Sequence, residues 1–191
     1  MTPGITAVLR TLHDGEQALE QRLRAAADTH RADHEIHHVA RDLARWSALH
    51  ATRIRGIAPD YGLTTPSVPS VPSVPSAPSA PSAGTDALNA LADAPTKDAA
   101  AAPAFLHPTV FAESPSASLP PGLALLRDLT ELHLAATANS LAWEMLAQAA
   151  QATRDTRLLD LAGACHPQTL RQMRWTNTQV KALTPQIVTS L

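Results

Sequence analysis

The chain has 191 residues, 45% hydrophobic but only 3% aromatic, and carries a formal charge of -2 at pH 7 from 15 Lys+Arg and 17 Asp+Glu. With its cations scattered and no net positive field to gather phosphates, the composition speaks against nucleic-acid binding. One cysteine cannot close an internal disulfide, no apolar run approaches the roughly 20 residues of a membrane span, and the opening MTPGITAVLRTLHDGE lacks the apolar core of a secretory signal, so the expectation is a cytoplasmic protein without a membrane anchor.

The first element is a helix over about residues 4 to 29, because Ile5, Val8, Leu9, Leu12, Leu19, Leu23, Ala26 and Ala27 recur at helical spacing on one side. Glu16 falls on that same apolar side. A second helix, about 34 to 55, continues the period in a new phase through Ile36, Val39, Ala40, Leu43, Trp46, Ser47, His50 and Ile54, with Asp33 available as N-cap and Gly56 and Pro59 ending the run. The DTHRAD between them holds no Gly or Pro, so one continuous helix is the alternative.

All but four of the 16 prolines fall between about Leu63 and Pro121, where TTPSVPSVPSVPSAPSAPSAG places a proline at every third position. Such a run excludes helix, favours polyproline II and can serve as a long tether. It also offers a docking site for a protein partner that reads proline. AFLHPTVF (104–111) is its apolar patch.

A third helix is predicted over about 122 to 153. Its main face carries Leu125, Leu129, Leu132, Ala136, Asn139, Trp143, Leu146 and Ala150, and a second stripe of Leu134, Ala138, Leu141 and Met145 lies almost opposite. A helix apolar on two faces is central in a bundle or half of an oligomer interface, so a homo-oligomer formed through this helix is expected. Between the stripes run His133, Thr137, Ser140 and Glu144. A fourth helical segment starts at Asp155. Pro167 is expected to kink it or to open a new helix reaching about Leu183, with Leu170, Met173, Asn177 and Val180 on the inner face.

The halves echo one another, since His37 and Trp46 stand nine apart as do His166 and Trp175, with Arg45 and Arg174 before each Trp. A true duplication would pack two related hairpins about a pseudo-twofold axis. The fold class that follows is all-α: a first helical hairpin over 1–62, a low-complexity linker over 63–121 and a second hairpin over 122–191, closing into one antiparallel four-helix bundle.

Two hairpins joined by a long crossover resemble the ferritin-like superfamily, and TANSLAWEMLAQAAQATRDTRLLDLAGACHPQTLRQMRWTNTQVK (137–181) is similar in style to the second hairpin of bacterial ferritin-like proteins associated with stress responses. The resemblance implies a di-iron centre built from a helix-borne Glu and a Glu-x-x-His, each contributed twice. Glu16 stands where the first carboxylate belongs, and Glu35-x-x-His38 opens the second helix with the right spacing. Glu144 is on the third helix, but the fourth has Ala164-Cys165-His166-Pro167 in place of a Glu-x-x-His. The ligand pattern is degenerate. The expectation is therefore a ferritin-like protein that acts by binding or assembly, without catalysis and without a cofactor. The alternative is a metal-binding or oxidoreductase member holding iron, manganese or zinc through Glu16, Glu35, His38, His50, Glu144 and His166.

Polar residues on inward faces need partners. Glu16, His30, His50, Asn139, His166 and Asn177 are the inward candidates, and hairpin register sets Glu16 level with His50, and Glu144 level with His166. His30, His34, His37 and His38 form a cluster with i, i+4 imidazoles able to chelate a divalent ion. Cys165, with no activating neighbour in the sequence, reads as a packed thiol.

Overall fold

The computed structural model describes residues 3–63 and 119–190, and all the regular structure in them is helical. The Pro/Ser/Ala repeat and AFLHPTVF lie outside the described residues, as does any docking role they have.

Helix α1 spans Pro3–Thr29 and buries the leucine stripe read from the sequence, together with Glu16. It ends without glycine or proline. The chain turns through His30–Asp33, with His30 N–H bonded to Ala26 O (2.9 Å) and Asp33 N–H to His30 O (3.0 Å). Asp33 then adopts an extended conformation and its carboxylate accepts from Ile36 N–H at 3.0 Å, starting α2, His34–Ile57. That cap separates α1 from α2, so the continuous-helix alternative does not hold. A 3-10 turn, Ala58–Tyr61, follows, and Gly62 closes it at φ 73, a left-handed value that a side chain would disfavour.

Helix α3, Pro121–Thr153, starts with proline in its first turn and stops at Arg154, a non-glycine residue in the left-handed region whose N–H bonds Ala150 O and Gln151 O. Asp155 immediately caps α4, Thr156–Thr189, accepting from Leu158 N–H at 3.1 Å. Of the two outcomes expected at Pro167, a new helix does not open there, because α4 runs unbroken through both Pro167 and Pro185. Each proline deprives one carbonyl four residues earlier, at Gly163 and Lys181, and all four residues lie on the exposed side. Water can satisfy those carbonyls there.

Thr6 bonds Tyr61 O, Tyr61 bonds Asp155, and His30 bonds Asp128. The start of α1, the end of α2 and the α3–α4 turn therefore share one pole, while the α1–α2 turn and the start of α3 share the other. Each helix packs antiparallel against two neighbours, α1 against α2 and α3, and α4 against α3 and α2. Two apolar clusters fill the interior. One gathers Leu9, Leu12, Ile54, Trp143, Leu146, Leu158 and Cys165; the other gathers Leu19, Leu23, Ala40, Leu43, Leu132 and Ala136, with Trp46, Met173 and Trp175 half-buried against it.

The inner face of α4 differs from the expected one. Leu170 and Asn177 are exposed, and Thr169, Gln172, Thr176 and Gln179 are buried in their place. The helix is rotated by about one residue, 100°, from the phase that maximises apolar burial, because this face meets α2 through hydrogen bonds; Met173 and Val180 are half-buried. The His/Trp echo is not reproduced in register either. His37 sits in the first turn of α2 and contacts Ala27 O, whereas His166 lies well inside α4 and contacts Ser140.

Candidate functional site

Between the two apolar clusters every helix contributes buried polar side chains: Glu16 from α1, Ser47 and His50 from α2, Asn139 and Ser140 from α3, Thr169 and Gln172 from α4. They form a polar layer across the waist. Its centre is a chain of four residues, one from each helix. Glu16 Oε1 accepts from Trp143 Nε1 at 2.9 Å and lies 3.2 Å from His50 Nδ1, and His50 Nε2 donates to Gln168 Oε1 at 2.8 Å. The imidazole of His50 also meets the indole of Trp143 edge-on, with centroids 5.8 Å apart.

Glu16 and His50 are both completely buried. Water-free burial of a carboxylate costs several kcal/mol unless its surroundings offset it, and here the indole N–H supplies a hydrogen bond while the imidazole edge lies beside the same oxygen. Gln172 ties the layer to α2, its amide donating to Leu43 O at 3.1 Å and Ser47 Oγ at 2.9 Å. Asn139 fits closely over Gly15, where a Cβ would lie 2.2 Å from its Oδ1. Glu16 Oε2, His50 Nδ1, Asn139 Nδ2, Thr169 Oγ1 and Gln172 Oε1 are buried without a hydrogen-bond partner, so the layer retains unused donors and acceptors.

The six residues assigned to a metal centre do not meet at one point. Glu16 and His50 come together in the layer. Glu35 is exposed and accepts from Gln179 Nε2 at 2.5 Å, and His38 is exposed beside His34 and His37. Glu144 and His166 stand 3.8 Å apart toward the outside, with Glu144 exposed and His166 half-buried. Among the described residues no three His, Cys, Asp or Glu side chains are grouped so as to hold a metal ion. A di-iron centre, needing four carboxylates and two imidazoles around one cavity, does not fit this donor set.

Of the other inward candidates, His30 is half-buried and donates to Asp128 Oδ2 across the α1–α3 seam at 2.8 Å. His166 is half-buried with Nε2 2.9 Å from Ser140 Oγ. The polar stripe of α3 is its contact with α4, His133 Nδ1 lying 2.9 Å from Thr176 Oγ1 and 3.2 Å from Met173 O. Cys165 is buried, and burial pushes its thiol pKa up, with the nearby Arg53 guanidinium opposing. It rests as a thiol, unsuited to nucleophilic attack.

The sequence reading missed Gln168, Thr169, Gln172 and Gln179. Except for Gln168, which precedes Thr169, their signal was present as the polar residues Thr169, Gln172, Thr176 and Gln179 at i, i+3, i+7 and i+10, but an apolar search passes over it. It missed Tyr61 as well, which donates to Asp155 at 2.8 Å and ties the end of α2 to the cap of α4. No protein-family model, no curated protein and no solved structure matches the chain.

Proposed function

We propose that the chain is a ferritin-like four-helix bundle in the cytoplasm whose work is binding through assembly with further copies of itself, not catalysis. The connectivity supports the fold: the chain leaves α2 at one pole and enters α3 at the other, which calls for the lengthwise crossover of that architecture. No helix among the described residues is long and apolar enough to cross a membrane.

The observation that carries assembly is the outer face of α3. Leu134, Leu141 and Met145 are 40%, 49% and 56% exposed, and Leu170 of α4, 46% exposed, lies on the flank of α4 turned toward α3. Contiguous exposed apolar side chains mark interaction surfaces. A second copy presenting the same stripe buries it by twofold self-pairing. Native mass measurement on the full chain tests this. The expected species is larger than the 20.2 kDa monomer, and Met145→Lys shifts it to monomer with helicity unchanged. A monomer at every concentration rejects the reading.

The second reading, a metal-binding or oxidoreductase protein with an incomplete site, draws on the unpartnered Glu16 Oε2 and His50 Nδ1. Elemental analysis separates the two readings. Stoichiometric iron, manganese or zinc lost in His50→Ala favours the second.

A further inference from the structure

Apart from the waist, the α1–α2 turn carries a concentration of imidazoles. Asp33 fixes the first turn of α2, so His34 and His38 stack one turn apart on its exposed face. Their ring centroids are 4.2 Å apart, with the planes tilted by 51°. Neither ring makes a hydrogen bond among the described residues, so both keep a lone pair for a ligand.

His37 stands behind them. Its Nδ1 donates to Ala27 O at 2.8 Å, and its ring meets that of His38 edge-on at 4.9 Å, limiting where the His38 ring can swing. We propose that His34 and His38 form a two-imidazole chelate for a divalent transition-metal ion, with water filling the remaining positions.

Imidazole nitrogen selects zinc, copper or nickel over magnesium and calcium, which prefer oxygen. Exposure provides the entry path. The partial positive charge at the start of α2 opposes a cation, and the carboxylates of Asp33 and Glu35 in the same turn offset it. Two protein ligands hold an ion less tightly than the four of a structural zinc cage, which makes this an exchangeable site. It is separate from Glu16 and His50 and does not depend on assembly through α3.

Zinc titration of the tag-free full chain, followed calorimetrically, tests the assignment. One ion per chain is expected. His34→Ala and His38→Ala should each weaken binding by at least about tenfold, because a chelate that loses one of two ligands keeps only a monodentate contact. His166→Ala should leave binding unchanged. Both substituted side chains of the pair are exposed, so the variants keep the fold, and equal helicity by circular dichroism checks it. No zinc binding, affinity preserved in either His34→Ala or His38→Ala, or affinity lost in His166→Ala overturns the proposal.

Discussion

The two seams that join the hairpins use different chemistry. Between α1 and α3 the contact is largely apolar, with Leu12, Leu19 and Leu23 facing Leu132, Ala136, Trp143 and Leu146. Between α2 and α4 it is largely polar, running from Gln179–Glu35 through Gln172–Ser47 and Gln168–His50 to Tyr61–Asp155. Leucines one helical turn apart can exchange places at small cost, so an apolar seam supplies strength without fixing a unique register. Hydrogen bonds between named atoms do not tolerate such a slip. The first seam holds the hairpins together, and the second sets their alignment.

The largest expected effect comes at Glu16, where the seams meet. Glu16→Ala leaves the Trp143 indole N–H without its acceptor and opens a cavity beside His50, and should cost about 3–5 kcal/mol of stability from the two together. Glu16→Gln, which preserves an acceptor for the indole, should cost clearly less. Urea unfolding measures both, and equal losses would show that an acceptor for the indole contributes nothing by itself. Next comes Gln172, whose replacement by Ala orphans Ser47 Oγ and should cost about 1–3 kcal/mol. In a double-mutant cycle with Ser47→Ala the losses should fall short of additive, because the second change removes a group already stranded. Strict additivity would break the comparison by showing that the polar seam is a set of independent contacts.

The smallest effect is at the pole. Burial and the bond to Asp155 raise the Tyr61 phenol from 10.0 to about 12. The folded chain thus keeps this proton where the unfolded chain loses it. Stability from this group is complete below pH 10 and declines as pH rises toward about 12. Tyr61 is the single tyrosine of the chain, so ultraviolet absorbance of tyrosinate follows it alone. The titration should lag behind that of a free phenol, and Asp155→Asn should move it back part of the way.

The sequence made some of this legible for clear reasons. The limits of α1, α2 and α3 followed from periodicity and from the Asp33 cap, since an apolar stripe and an N-cap act locally, whereas α4 runs past the expected end near Leu183 to Thr189. Glu16 and His50 were visible as a pair because each interrupts a leucine-rich stripe, and a polar group there demands a partner. The face of α4 was not visible, because Leu170, Met173 and Val180 offered a competing apolar phase and the winning one depended on Ser47 and Leu43, residues far away in sequence. Spacing did set Glu35 at the flank of the apolar stripe of α2 and His38 almost opposite it, and both are exposed.

The placement of the poles has one more consequence. The 24 residues of α2 span about 36 Å, a distance that roughly eleven extended residues can bridge. The stretch between Leu63 and Leu119 is several times that long. Covalent reach therefore sets only a loose lower bound on it. Most of its length could be trimmed, or the chain severed there into two co-expressed fragments, while leaving the interlocking of the halves to Glu16, His50, Trp143 and Gln168.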